Sequence, residues 1–457
     1  MATEDGLPLP QRYWGILAIA LPLMLSVLDS SIVNVALPSI GHDLGADPAT
    51  SVWIVKIYLL VVMVLLLPLA TLGEIVGYRL ISRTGVVIFT AASLACALTR
   101  SVETLTLARG VQAVGAAGIL SVNVALTRFV YPRALLGRGI GMIALVVATS
   151  SAIGPTLASS LLAIGPWPWL FLVNVPLGLF SLLASRTLPI TPRHKDRRLD
   201  PLSAGLYVLT LSLFIGSIDA IAHSQGFGLT TLVVLLLLVA GFLLFRRQRQ
   251  LEPPLVPIDL FKIPVFRMSV LTSICSFGAL TMAFVALPFF IQGPLGQSEV
   301  MTGLLMTPWP TMTGLAAILA GRLADRYPAG LLGGCGLVML AIGLGLLAVL
   351  PPHAAPFDIV WRMGLCGAGF GLFQSPNNRA MIAAAPIERS GAASGMLGTA
   401  RMLGQTTGAA CTALILAHGG EGGFVLTLVV AAIVAAGAAG VSCLRLLPGK
   451  TSVREGS

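Results

Sequence analysis

Residues 14–40 read WGILAIALPLMLSVLDSSIVNVALPSI, an apolar run carrying one acid, Asp29, with Ser30, Ser31 and Asn34 close by. About 20 apolar residues cross the hydrocarbon of a bilayer as a helix, and this run exceeds that length. It is too long for the core of a cleaved leader, and no small-residue cleavage site follows, so a retained span is expected. A carboxylate at this depth is costly unless it faces a polar cavity or a partner, which makes Asp29 the first candidate for function. The competing reading is a protonated carboxyl that hydrogen-bonds Ser30 or Asn34 and only joins helices.

The whole chain agrees with that span. Of its 457 residues 56% are hydrophobic and 10% charged, with a mean hydropathy of +0.92. Soluble domains carry about 25% charged residues, so the chain is expected to be an all-α integral membrane protein. The net charge of +10 does not point to nucleic acid, because the basic residues form no stripe with interleaved aromatics. The six cysteines, at 96, 275, 335, 366, 411 and 443, lie in apolar runs without CxxC or Cys/His spacing. They read as buried small residues, and no metal is expected.

Runs long enough to span begin near residues 14, 51, 84, 104, 139, 168, 201, 228, 265, 301, 329, 356, 391 and 423, which makes fourteen. With the amino terminus inside, 23 of the 28 Lys and Arg residues fall in inner segments and only Arg100 in an outer one. The outer segments hold Asp43, Asp47, Glu103, Glu299, Asp358 and Glu421. This bias places both termini in the cytoplasm. Four basic residues remain within spans: Lys56, Arg109, Arg362 and Arg401. Lys56 and Arg362 are the better candidates for snorkelling to an interface.

An internal repeat is visible. ATLGEIVGYR (70–79) and GRLADRYPAG (321–330) each put an acid, Glu74 or Asp325, at the inner end of a span, with an in-span arginine, Arg109 or Arg362, following at similar distance. Spans 1–6 and 9–14 therefore read as two copies of one unit. The boundaries expected are a first six-helix bundle over 1–187, a linker with two additional helices over 188–264, and a second bundle with a short tail over 265–457. An acid and a base at such a position can bridge helices and hold one face shut. The gate candidates are Glu74, Gly77 and Arg79 with Gly321, Arg322, Asp325 and Arg326, against the alternative of exposed ion pairs worth little.

LDSSIVNVALPSI (28–40), LTLARGVQAVGAAG (105–118), IGPTLASS (153–160) and GRLADR (321–326) together resemble motifs of the major facilitator superfamily, in its fourteen-span drug:proton antiporter branch. The resemblance covers essentially the whole chain. It implies two six-helix bundles plus two extra helices, and it implies that Gly154 and Pro155 form the antiporter motif at the interface of the halves. The chain departs from the family pattern at Glu74, Ile75 and Tyr78, and at Ala158 and Ser159 where a glycine pair is typical. Without the name, Gly154-Pro155 is a place for a kink and close helix approach, functional or merely packed.

The function expected is proton-coupled export of small amphipathic or cationic organic compounds across a bacterial cytoplasmic membrane. The partners expected are substrate, protons and lipid, with no nucleic acid and the chain a monomer. No cofactor is expected, since Leu444 stands where a phosphate loop ending in GKT (449–451) would need glycine. Alternatives are an exporter or proton symporter of one metabolite, and a membrane-embedded sensor or enzyme. Against an enzyme, the chain has no HExxH and no GxSxG.

Asp29 is the expected proton-coupling acid. At 1.5 Å per residue it lies roughly 13 Å below the outer end of its span and Arg109 roughly 8 Å below the outer end of its own, so Arg109 is the favoured partner and Lys56 the rival. A neighbouring cation favours the ionised carboxylate and burial the protonated one, so alternating exposure would exchange a proton. Cavity candidates are Asn34, Tyr58, Phe284, Trp309, Phe370, Phe373 and Arg401, the aromatics being suited to planar cations.

Overall fold

The structure, a computed structural model, describes residues 6–132, 135–191, 200–222, 227–250, 258–324, 326–351, 354–386 and 390–445. Asp325, most of the basic linker before residue 200 and the tail after 445 lie outside the described residues, as does the side chain of Asp219. Every regular element among the described residues is helical, and fourteen long segments result. The first six are α1 (Gln11–Asp43), α2 (Pro48–Val76), α3 (Tyr78–Leu98), α4 (Val102–Val130), α5 (Leu136–Ile164) and α6 (Trp169–Thr187). The two extra helices are α7 (Pro201–Ala222) and α8 (Phe227–Gln248). The last six are α9 (Pro264–Gln292), α10 (Glu299–Leu323), α11 (Ala329–Ala348), α12 (Pro356–Ala383), α13 (Ser390–His418) and α14 (Gly423–Leu444).

Local chemistry sets their ends. Asp47 caps α2, its Oδ2 accepting from the N–H of Ala49 at 3.1 Å and of Thr50 at 3.3 Å, with Pro48 in the first turn where its missing donor is not needed. Ser101 and Thr104 form a capping box at the start of α4. Gly77 ends α2 at φ 103°, a conformation that side chains resist, and α3 begins at the next residue. Two helices are broken where proline removes a backbone donor and crowds the carbonyl four residues before it. In α6 the break is at Val173, ahead of Pro176, and in α10 it is at Thr307, ahead of Pro308 and Pro310.

Twelve of these helices are long and apolar enough to cross a membrane, among the described residues. The other two, α12 and α13, fall short because their sequences mix small and polar residues with Asp358, Arg362, Arg379 and Arg401. They pack with the rest of the second bundle, α12 on α10 and α11, and α13 on α9. The repeat is visible in the packing: α3 lies on α4 and α6 as α11 lies on α12 and α14, and α2 meets α4 as α10 meets α12. Likewise α1 pairs with α5, and α9 with α13. Large apolar side chains point outward, Leu238 and Phe242 of α8 being 63% exposed, as a lipid-facing surface requires and a water-facing one does not.

The two bundles meet along α2 with α13, along α5 with α10 and along α1 with α9. Helix α7 covers the first of these seams, touching both α2 and α13, while α8 packs on α7. Arg247 of α8 holds Asp200 at the foot of α7, its Nε and Nη2 donating to the two carboxylate oxygens at 2.7 and 2.9 Å. Hydrogen bonds from Arg247 and then Ser203 hold the Asp200 carboxyl well below the usual aspartate range. Because the folded value is depressed, this contribution is present above the ordinary range and is lost only as pH falls through the lowered value. Both groups are partly exposed, so the pair is expected to be modest: Asp200→Asn should loosen the α7–α8 hairpin in hydrogen exchange without unfolding the bundles.

Candidate functional site

Five helices of the first bundle converge on Asp29, which is fully buried at 0% exposure. Helix α4 brings Arg109, also buried, whose Nη1 forms an ion pair with Asp29 Oδ2. One turn on, Gln112 donates from Nε2 to Asp29 Oδ1 at 2.9 Å and to Ser93 Oγ of α3 at 2.8 Å, and its Oε1 accepts from Arg109 Nη1 at 2.6 Å. From α6, Asn174 donates to Asp29 Oδ1 at 2.8 Å. The guanidinium carbon of Arg109 sits 4.2 Å from the centre of the Tyr58 ring on α2, and its Nε approaches the carbonyl of Ile54 at 3.5 Å. The carboxylate thus has three donors, and the cation has an acid, two carbonyl-type acceptors and an aromatic face.

Of the two cations that sequence offers Asp29, the geometry brings Arg109 and not Lys56. Lys56 is buried on another face of α2, its Nζ 3.7 Å from the centre of the Trp53 ring. Tyr58 belongs to the Arg109 cluster and is 3% exposed, so it does not stand in a substrate cavity. Gln112, Ser93 and Asn174 were not singled out from sequence. Gln112 was within reach, because i and i+3 share a helix face and Arg109 was already chosen. Asn174 is a lone amide in the apolar run LFLVNVPLG, and only packing shows that it faces α1.

The seam between the bundles holds the second constellation. Gly154 and Pro155 of α5 are buried there. A Cβ on Gly154 would strike the Ser31 side chain of α1, and one on Gly303 of α10 would strike the Pro155 carbonyl and the Ser159 side chain. Thr156 and Thr307 share a hydrogen bond of 2.8 Å across the seam. Backbone approach this close leaves no room for a side chain, so Gly303→Val should force α5 from α10. Overpacking of this kind costs about 1–3 kcal/mol, and initial transport rates in vesicles are expected to fall at least ~5-fold at equal expression.

The remaining candidates divide. Phe284 packs edge-on against buried Trp309 at 5.1 Å, and only Phe284 is partly exposed. Phe370 and Phe373 are buried within the second bundle, 6.2 Å apart, Phe370 also meeting Phe277 at 5.2 Å. Arg401 of α13 lies over Phe277, 5.4 Å from its ring centre. Asn34 is half-buried, and its Oδ1 has no hydrogen-bond partner. Among the gate candidates, Glu74 lies in the last turn of α2, while Arg79 donates to the carbonyl of Arg186 at 3.0 Å and so ties α3 to the end of α6. Arg79 and Arg83 line a groove of about 700 Å³ with Ile190 and Thr191. Gly321, Arg322 and Arg326 are exposed.

At the opposite end a depression of about 560 Å³ opens between the two bundles, lined by residues that include His42, Asp43, Trp167, Gln292 and Glu299. Trp167 Nε1 donates to Asp43 at 2.7 Å and braces its rim. Among the described residues no cluster of His, Cys, Asp and Glu could hold a metal ion.

Residues 19–261 and 269–456 match the family described as Major Facilitator Superfamily. The chain is 50% identical to the uncharacterized transporter YebQ of Escherichia coli over 97% of both chains. It is 29% identical to the multidrug resistance protein Stp of Mycobacterium tuberculosis, covering 88% of this chain and 75% of that one. In fold it resembles a bacterial homologue of the human lysosomal transporter Spinster, solved inward-facing and unoccupied, with a TM-score of 0.70, 16% identity and coverage of 96% and 97%. Two bundles related by an internal repeat, a matched family description across almost the whole chain and drug-efflux relatives lead to one conclusion: the chain belongs to the Major Facilitator Superfamily.

Proposed function

We propose that this chain is a proton-coupled secondary active transporter that exports small amphipathic organic compounds across the bacterial cytoplasmic membrane. One observation carries the reading: Asp29, fully buried in a span, is paired with Arg109 and bonded by Gln112 and Asn174. A structural tie between helices needs one such bond. A cluster that presents a carboxylate to one cation and two amides has two discrete arrangements, because protonation removes the charge that holds Arg109 while leaving Gln112, Tyr58 and the Ile54 carbonyl to receive it. Two-state bundles respond to even a small change of this kind. The multidrug function named for Stp supports a broad substrate range.

In this scheme the basic ends of the helices face the cytoplasm, as the distribution of Arg and Lys favours, and both termini lie there. Asp29 takes a proton while the outer face is open and gives it up to the cytoplasm after the bundles rock, and substrate travels the other way. The bundles rock about the seams of α2 with α13 and α5 with α10, the gate residues bias which face is shut, and neither cofactor nor nucleotide is consumed. A panel of amphipathic dyes and drugs, tested in proteoliposomes under an imposed pH gradient, tests the export reading; accumulation that ignores the gradient contradicts it.

Pro155, in the interior of α5, belongs to the same scheme. Pro155→Ala restores a backbone donor in α5 at the residue whose carbonyl faces Gly303 across the seam. The variant is expected to reach the membrane in normal amounts and to exchange substrate for protons several-fold more slowly. Unchanged substrate-driven proton movement would make Pro155 a packing feature only.

A further inference from the structure

Charge is distributed unevenly through the interior. Among the described side chains, Asp29 is the one acid more than a helical turn from a helix end, and Arg109, Gln112 and Asn174 already hold it inside the first bundle. The other acids near the path, Asp43 and Glu299, line the depression at the acidic end. A cationic substrate crossing the middle of the molecule therefore meets no uncommitted described carboxylate, whereas Arg401 is a cation set within α13.

Arg401 occupies a place where both bundles are within reach. It lies 11 residues beyond Ser390, the first residue of α13, and so about 16 Å along that helix. Gly395 and Gly398 press α13 onto Leu67 and Leu66 of α2, whereas Gly404 and Gly408 press it onto Ile274 and Gly278 of α9. Helical spacing puts Arg401 between those two contact faces, at the seam of the halves. Its guanidinium rests on Phe277, its Nε has no hydrogen-bond partner, and that atom is shut off from solvent. A guanidinium held within a span without an acid beside it is costly, even half-buried, and its planar fork matches an oxyanion better than any other partner.

We propose that Arg401 is the residue that recognises substrate charge and that the preferred substrates are amphipathic organic anions, an oxyanion pairing with the guanidinium at the seam of the two bundles. This rests on the export reading and reverses the charge that aromatic content alone suggests. Phe370 and Phe373, which that suggestion relied on, are packed inside the second bundle.

Three probes with one apolar body separate the possibilities: 1-pyrenebutyrate, 1-pyrenebutanol and pyrenebutyl-trimethylammonium. Equilibrium binding to the purified full-length protein is followed by pyrene fluorescence at fixed pH. The anion is expected to bind about 10-fold more tightly than the alcohol, the scale of one charge-assisted hydrogen bond, and the cation more weakly than either. Arg401→Gln is expected to erase the preference and Arg401→Lys to keep part of it, with gel-filtration profiles checking that both variants are folded. Equal or absent binding of the three by the natural protein, tightest binding of the cation, or an undiminished anion preference in Arg401→Gln overturns the proposal. If Arg401→Gln does not fold, loss of the preference in Arg401→Lys as well overturns it, since the charge remains. Binding is read without a gradient, so a failure of proton coupling is seen in transport and leaves this result intact.

Discussion

Asp29→Asn is expected to abolish uphill transport driven by a pH gradient, lowering accumulation in proteoliposomes to the level of protein-free controls. Asparagine keeps the shape of the acid and can still accept from Gln112 and Asn174, which donate to Oδ1 at 2.9 and 2.8 Å. It can neither bind nor release a proton, and so it fixes the cluster in the arrangement of the protonated acid. Arg109 retains Gln112, the Ile54 carbonyl and the Tyr58 ring, so the variant is expected to fold and to carry substrate down its own gradient. Loss of uphill accumulation together with retained downhill flux separates a coupling defect from a folding defect. If uphill accumulation persists, Asp29 is a structural tie.

Arg109→Met has the second large effect, and it appears first in stability. Removing one partner of a buried ion pair leaves the other charge uncompensated, at a cost of about 3–5 kcal/mol. Here the residual donors are Gln112 and Asn174, which are neutral. The expected result is a detergent melting temperature several degrees below that of the natural protein, and poor expression. Asp29→Asn added to Arg109→Met removes the orphaned charge, so the double variant is expected to recover most of the stability and none of the coupling. That non-additivity is the signature of a direct pair. Lys56→Met, on another face of α2 against Trp53, is expected to leave coupling in place. If it abolishes coupling and Arg109→Met does not, the proton partner has been misassigned.

Much of this was legible because hydrocarbon makes polar residues expensive. Asp29 stood out for that reason, and simple helix rise put Arg109 at a depth from which it could reach. The helix ends were not legible: apolar runs put the starts of α2 and α4 near 51 and 104, while the caps Asp47 and Ser101 begin those helices a few residues earlier. The spans α12 and α13 were read as apolar runs from 356 and 391, although hydropathy in both is low. Contacts across the bundle were less accessible. Which face of α4 meets α1, and whether the amide of Asn174 turns inward, depend on packing that composition does not encode. Aromatic residues gave the least guidance: Tyr58, Phe370 and Phe373 each met a partner inside a bundle, and residue type alone did not distinguish that from a cavity wall.

The most direct test of the central claim is proton movement driven by substrate alone. Proteoliposomes holding a pH-sensitive dye in weak buffer are given a substrate gradient and no pH gradient. With the natural protein, substrate flux in one direction is expected to drive protons in the other, and with Asp29→Asn the substrate is expected to move while internal pH stays constant. Proton movement of equal size in both proteins would contradict the assignment of Asp29 and Arg109 as the site where proton and substrate transport are joined.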